Sequence, residues 1–255
     1  MRPIRSCVVV LILFALGTSA AVAGEIRVVA AVAVQDPLDR LAAAFTKATG
    51  HKVNVSYALT GPILADIKAG KPVDVAVLPD AGRVGLESVS ALQTPVSASL
   101  AGVGVPDAAP LPDISTLEKF KALLHATPSL SYTDPKSGGA FGQGFDRTLV
   151  ELGLADEVHR KALMVGGSQE IVKVVASGKA AIAITFKSAI VTTPGLKFAG
   201  VLPAPFGNSE PFTASVLKSA ASPDISRAFV ASLLTPEAKA VWTDLGFLPA
   251  GAAAH

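Results

Sequence analysis

The sequence predicts an α/β protein whose sheets are mostly parallel and flanked by helices. Three observations carry this. An apolar run, Ile26 to Val34, reads as a strand covered on both faces. After the turn Gln35-Asp36-Pro37, the residues Leu38, Leu41, Ala42 and Phe45 recur at helical spacing as far as Gly50, where a helix would stop. His51 to Tyr57 then alternates as a second strand. A strand-helix-strand step of this length joins parallel strands. Ligands of such sheets bind beyond the carboxyl ends of the strands, where helix N-termini present free N–H groups, and here that place is Ala33 to Asp36.

The rest of the chain repeats the pattern. Ala58 to Pro62 is a turn, and Ile63, Leu64 and Ile67 mark a short helix up to Gly70. Pro72 to Leu78 reads as a third strand, ending in Pro79-Asp80-Ala81-Gly82. Arg83 to Pro112 carries a weaker signal, in which Ala101 to Pro106 reads as an extended crossover. Asp113 or Ser115 caps a helix through Leu117, Phe120 and Leu124. Ser129 to Thr133 is a short strand, and a helix through Phe141, Phe145, Leu149 and Leu152 ends at Gly153. Gly166-Gly167-Ser168 opens a helix through Ile171 and Val175 to Gly178, followed by a buried strand, Ala180 to Phe186. Leu196 to Leu202 reads as a further strand and second crossover, punctuated by Pro203 and Pro205. Thr213 to Leu217 is a strand, and Ile225 to Leu234 and Pro236 to Leu245 are helices, the last closed by Gly246. There is no repeat, heptad or low-complexity segment.

The chain has 255 residues, 50% of them hydrophobic and 16% charged, which is the make-up of a well-filled globular protein. Its start reads as a cleavable signal peptide. Arg2 and Arg5 form a basic head, Val8 to Leu16 an apolar segment too short to anchor in a bilayer, and Ala21-Val22-Ala23 a cleavage site, so residues 1–23 would be removed. Cys7, the single cysteine, lies inside that segment, so the mature chain has no disulfide, thiol nucleophile or thiolate metal site. Losing Arg2 and Arg5 brings the formal charge from +2 to zero, which gives no electrostatic reason to bind nucleic acid.

Several strand-to-helix turns carry small or hydroxyl residues: Ala33-Val34, Thr60-Gly61, Ser137-Gly138-Gly139 and Ser168-Gln169. Backbone N–H groups at helix starts carry partial positive charge and hold an anion without a full counter-charge, and hydroxyls add adaptable donors. The plainer reading makes each hydroxyl an N-cap and each glycine a turn residue. Lys187, directly after the buried strand ending at Phe186, could pair with a carboxylate or oxyanion, or be a solvated strand-end lysine. The four histidines, His51, His125, His159 and His255, are scattered, and metal binding is not expected. No nucleophile elbow or phosphate-binding loop of Walker type appears. Asp74, between two valines, reads as a hydrogen-bonded structural residue. No cofactor is expected.

The chain resembles the periplasmic molybdate-binding proteins of ABC transporters. The matching pieces are Val28 to Ala33, Leu41 to Gly50, Val53 to Ala58 and Ile67 to Val77, with a looser match at Asp134-Pro135 and at Gly178 to Phe186. The resemblance implies a type II, two-lobe receptor with two crossover hinge strands, acting as a monomer on a small anionic ligand and delivering it to an inner-membrane ABC permease. Lobe one would be residues 24–103 with 204–255, and lobe two residues 104–203. It also implies departures. The family uses a serine at the end of its first strand, where Ala33 stands, serines after the second, where this chain has Leu59 and Thr60, and a tyrosine where this chain has Phe186. Each lost hydrogen bond to a charged ligand is worth about 1.5–3 kcal/mol, which weakens the case for tight molybdate or tungstate binding, so the ligand stands as a molybdate-like oxyanion or, equally well suited, a small organic carboxylate. The alternative is an enzyme: some exported proteins similar to molybdate receptors are tricarboxylate isomerases of the aconitate isomerase kind. Lys187 or a pocket hydroxyl would then share in proton transfer.

Overall fold

The computed structural model describes residues 23–137, 140–207 and 209–252. The signal segment up to Val22, Gly138, Gly139 and His255 lie outside the described residues. The architecture is α/β, with two sets of parallel strands joined through antiparallel strands at the centre.

The first set is β1 (Glu25–Ala31), β2 (Lys52–Ala58) and β3 (Val75–Pro79), with β1 in the middle and parallel to both neighbours. The helix α1 (Gln35–Thr49) joins β1 to β2, and α2 (Thr60–Lys68) joins β2 to β3. The strand expected to run to Val34 ends at Ala31, and residues Val32–Val34 form a 3-10 turn. The reason is packing: Val34 is fully buried in the core while Val32 is half exposed, a pattern a straight strand cannot give. The expected turn at Gln35-Asp36-Pro37 is the first turn of α1, where the missing N–H of proline costs nothing. Thr60, Gly61 and Pro62 likewise start α2 rather than preceding it.

The second set repeats the same order. It comprises β5 (Leu130–Thr133) between β6 (Ala162–Val165) and β7 (Ile182–Phe186), all parallel. Before it comes α4 (Leu117–Ala126), whose cap is Thr116, accepting from the Lys119 N–H at 3.3 Å. Neither Asp113 nor Ser115 caps it, because Asp113 is engaged by the Ser115 N–H and hydroxyl and by the Lys119 ammonium. The helices α5 (Ala140–Glu151) and α6 (Ala155–Lys161) lead to β6, and α7 (Ser168–Ala176) leads to β7. Sequence reading missed α6 and β6, each too short to show a period. It also missed α3 (Asp80–Val84) and α8 (Lys187–Val191), single turns that follow β3 and β7 directly.

Between the two sets lies β4 (Ser90–Pro106), a 17-residue strand where the sequence showed only a crossover at its end. Its alternation is broken by Pro95 and by register shifts between Ser90 and Leu92 and between Pro95 and Ser97, which hide the period. Residues Ser90–Leu100 pair with β9 (Ser209–Leu217), and Ala101–Pro106 with β7 and with β8 (Leu196–Val201), all antiparallel. So the sheets are parallel on their outer sides and antiparallel at their shared centre. β9 starts four residues earlier than the alternation from Thr213 suggested. The tail supplies α9 (Pro223–Ser232), α10 (Pro236–Asp244) and β10 (Phe247–Pro249), which pairs with Ser97–Ser99 of β4.

The buried side chains form separate cores. One gathers Ile26, Val75, Phe212, Phe229 and Trp242, and another Val103, Phe120, Tyr132, Phe145 and Phe206. A smaller cluster of Ile171, Val175 and Ile190 backs β7. The strand β4 crosses between them and is closely packed: a Cβ on Gly102 would lie 2.2 Å from the Gly200 carbonyl oxygen and 2.4 Å from the Phe198 ring. Gly102→Ala should therefore destabilise the protein by about 2–3 kcal/mol, read as a lower denaturant midpoint at unchanged slope, because the Gly200 backbone and the Phe198 ring must both move.

Candidate functional site

The strand directions place the site. The register runs from Pro79 at the end of β3 to Phe212 of β9 and on to Ser97 of β4. On the other side, Phe186 at the end of β7 pairs with Ala101 of β4. The carboxyl ends of the two parallel sets therefore face each other across the stretch Ser97 to Ala101. At a rise of about 3.3 Å per residue that gap is roughly 13 Å, the size of a small solute with its contacts.

Helices that spring from these strand ends keep their first N–H groups unengaged by side chains. The N-cap positions of α1, α2 and α7 are Val34, Leu59 and Gly167, and none makes a side-chain cap hydrogen bond. Thr60 and Ser168 sit one residue inside their helices, so they are not the N-caps that the plainer reading made them. Missing caps are not confined to these ends: α6 and α9 also lack a side-chain cap, whereas α4 and α10 are capped by Thr116 and Thr235, so it is the placement of the α1, α2 and α7 starts at the gap that matters. The Ser137 hydroxyl donates to the Asp134 carbonyl at 2.7 Å, which ties down the turn before α5. Gly142 lets the first turn of α5 press onto the end of β5, where a Cβ would lie 2.6 Å from the Thr133 carbonyl oxygen.

Two cavities open on opposite faces of β4. The first, about 200 Å³, is lined by Ala101, Phe141, Phe145, Phe186 and Glu210, with Gly144, Gly207 and Ser209 at its edge. Its aromatic wall is continuous, with Phe141 and Phe186 ring centres 5.0 Å apart. The second, about 730 Å³, is a groove that includes Leu100, Asp113, Ser115, Lys187, Phe198 and Leu248. The two neighbours Phe186 and Lys187 thus line different cavities. The Lys187 ammonium lies 5.5 Å from the centre of the Phe198 ring, a cation–π contact that holds it on the groove side.

Sequence reading found Phe186 and the strand-end turns but missed the floor between them. Ser97, Ser99 and Ala101 alternate onto one face of β4, opposite Phe212, Glu210 and Phe186. The Ser97 and Ser99 hydroxyls are buried without a partner among the described residues. Glu210 is the sole charged side chain of β9, and burial raises its pKa above the usual carboxylate value. The available signal was a single Glu in the otherwise uncharged stretch Ser209-Glu210-Pro211-Phe212. Among the described residues no cluster of His, Cys, Asp and Glu could hold a metal ion, and no helix is long and apolar enough to cross a membrane.

The profile of the bacterial extracellular solute-binding proteins aligns with residues 26–248. The chain belongs to that family. Two solved structures share the fold of this solute-binding protein. One, assigned as the substrate-binding domain of a molybdenum ABC transporter from Clostridium difficile, superposes with a TM-score of 0.74 at 16% identity, over 89% of this chain and 99% of that one. The other, the Azotobacter vinelandii periplasmic molybdate-binding protein, gives 0.69 at 21% identity, over 88% and 98%. Among curated proteins, an aconitate isomerase from a Pseudomonas species is 24% identical, aligned over 85% of this chain and 84% of its own length. The fold is thus the type II, two-lobe arrangement that the sequence resemblance implied.

Proposed function

We propose that the protein is a periplasmic solute-binding protein that captures a small anion between two lobes and delivers it to an ABC permease. The observation that carries this is the set of uncapped helix starts, α1 and α2 from one strand set and α7 from the other, at carboxyl ends that face each other across Ser97–Ala101. N–H groups so placed hold negative charge without a counter-ion. In this reading the lobes are residues 24–103 with 204–255 and residues 104–203, closing by hinge motion on β4 and the return segment. Export would use the signal segment ending at Ala23, and β1 begins two residues later, at Glu25. Ala33, Val34, Thr60, Gly61, Ser137, Gly138, Gly139, Ser168 and Phe186 would contact or frame the ligand. Lys187 would enter only if the ligand reached the groove.

The second reading is an isomerase of a small tricarboxylate on the same fold. Glu210 in an aromatic-walled cavity favours it, because a carboxyl whose pKa is raised by its surroundings is suited to proton transfer. The alignment with an aconitate isomerase, over 85% of this chain and 84% of that protein, supports it as well.

Thermal unfolding of the mature protein against molybdate, tungstate, sulfate, phosphate, citrate and cis- and trans-aconitate tests both. A ligand at 100 times its Kd stabilises the folded state by about 2.7 kcal/mol, which for a chain of this size raises Tm by roughly 5–10 °C. We expect the organic carboxylates to give that shift. No shift with any anion would overturn the binding reading, and interconversion of the two aconitates by the protein would replace it with the isomerase.

A further inference from the structure

We propose that Glu210 is a ligand-contacting residue of the cleft, and that the solute it selects is a small carboxylic acid presenting an apolar flank to Phe141 and Phe186 and a carboxylate to the Glu210 carboxyl. This rests on the solute-binding reading and names its substrate class.

Position comes first. Glu210 pairs with Ser99 in the register of β9 and β4, so their side chains stand side by side on one face of the floor. That face lies between the end of β3, level with Ser97, and the end of β7, level with Ala101. Glu210 lines the aromatic cavity there, and among the described residues it has no hydrogen-bond partner and no ion pair. Ser99 is 1% exposed and Ser97 4%, and both hydroxyls lack partners among the described residues, while Glu210 beside Ser99 is partly exposed and opens into the cavity. Buried polar groups are normally satisfied, so the two unpaired hydroxyls beside Glu210 call for a partner.

The chemistry of the walls then narrows the class. A tetrahedral oxyanion needs donors on every side, but Ala101, Phe141, Phe145 and Phe186 offer none. An organic acid has an apolar part to bury there and a carboxylate to turn toward the helix starts and Glu210. Two carboxyl groups in contact share one proton, because both cannot ionise at close range.

The protonation state of Glu210 follows from its surroundings. Burial raises its pKa, and among the described residues no neighbouring charge offsets this: on α3, which packs against β9, Asp80 accepts from the Thr213 hydroxyl and pairs with Arg83. No residue of β4, β7 or β10 is titratable. On α5, Asp146 is bound by the Tyr132 hydroxyl and His159, and Arg147 and Glu151 are exposed. At the start of α1, Asp36, Asp39 and Arg40 are exposed, and Lys187 lies on the groove side. A neutral Glu210 donates to a carboxylate, and an ionised one repels it. Affinity for an organic acid should therefore fall as pH rises through the raised pKa of Glu210.

The test compares the wild type, Glu210→Gln and Glu210→Ala by calorimetric titration with trans-aconitate, citrate and molybdate at pH 5 and pH 8. We expect the wild type to bind at least one tricarboxylate about tenfold more tightly at pH 5 than Glu210→Ala does, since one hydrogen bond to a charged group is worth that much. Glu210→Gln, which donates at every pH, should keep the affinity and lose the part of the pH dependence due to Glu210. The titration of the probe itself is common to all three proteins and cancels. A readout without ligand accompanies it. A glutamate with a raised folded-state pKa contributes fully below its unfolded value, near 4.3, and loses that contribution as pH rises through the folded value. The Tm advantage of Glu210→Gln over the wild type should therefore grow from pH 5 to pH 8. Binding by the wild type with equal affinities and pH profiles in both variants would overturn the assignment of Glu210 alone. Preference for molybdate, unaffected by either variant, would overturn the substrate class. Failure of the wild type to bind any probe would sink the binding reading and this inference with it.

Discussion

Replacing Asp74 with Ala is expected to cost about 3–5 kcal/mol of folding stability. The carboxylate is fully buried and fixes three parts of the chain. It accepts from the Arg27 N–H at 2.7 Å, from the Arg27 Nε–H at 3.0 Å and from the Ala221 N–H at 2.7 Å, tying β3 to β1 and to the turn before α9. Truncation leaves two backbone donors unsatisfied, and each hydrogen bond to a charged acceptor is worth about 1.5–3 kcal/mol. The Arg27 guanidinium is 39% exposed and rehydrates, so the loss falls mainly on the backbone groups. Against a total of about 5–15 kcal/mol this is a large fraction, and urea unfolding should show a much lower midpoint at unchanged slope. The pH dependence carries a sign. Burial alone would push the Asp74 carboxyl up, but the hydrogen bonds from Arg27 and Ala221 outweigh it and hold it below the usual aspartate value. A depressed carboxylate contributes its stability above the unfolded pKa, near 3.9, and loses it as pH falls through the folded value. The wild type should therefore lose stability below about pH 4 by a component that is missing in Asp74→Asn.

The position of Asp74 shows how legibility was distributed along the chain. Flanked by valines in an apolar run, it could be read as structural from its neighbours alone, although its partners Arg27 and Ala221 lie 47 and 147 residues away and no local pattern names them. The first parallel unit was legible for the same local reason, while β6 of the second was too short to show a period. Ile26 to Gly50 shows a strand period giving way to a helical one within a single window. The central antiparallel strands were not, because β4 is interrupted by Pro95 and two register shifts, and its partners come from β7, β8, β9 and β10. The site divided likewise. Turns such as Thr60-Gly61 and Gly167-Ser168 announce helix starts by composition. Ser97, Ser99 and Glu210 become a group only through the pairing of β4 with β9, 111 positions apart at Ser99 and Glu210. Lys187 shows the converse. Its place after a buried strand was legible, but which side of the sheet it faced depended on Phe198, a residue of another strand.

Trp242→Ala should cost a further large amount, about 3–5 kcal/mol, and should reach the site. Trp242 is fully buried on α10, its Nε1–H donates to the Leu233 carbonyl at 3.1 Å, and its ring meets Phe247 edge-on at 5.4 Å. Phe247 begins β10, which pairs with Ser99, and Pro249 of the same strand pairs with Ser97. The indole is therefore the support behind the strand that closes one side of the polar floor. Truncation opens a void in the core that Phe229, Phe212 and Phe247 cannot fill without moving. Trp242→Phe keeps most of the volume and loses the hydrogen bond, so it should cost about 1–2 kcal/mol, mainly for the unpaired Leu233 carbonyl. Because Trp242 is the sole tryptophan, its fluorescence reports wild-type unfolding, and the variants are followed by circular dichroism. The pair separates two effects. If β10 holds Ser97 and Ser99 in register, carboxylate affinity should fall in Trp242→Ala and persist in Trp242→Phe, measured where both proteins are fully folded. Equal affinities in the two folded variants would mean that β4 keeps its floor through β9 alone, and that the C-terminal strand contributes stability without shaping the site.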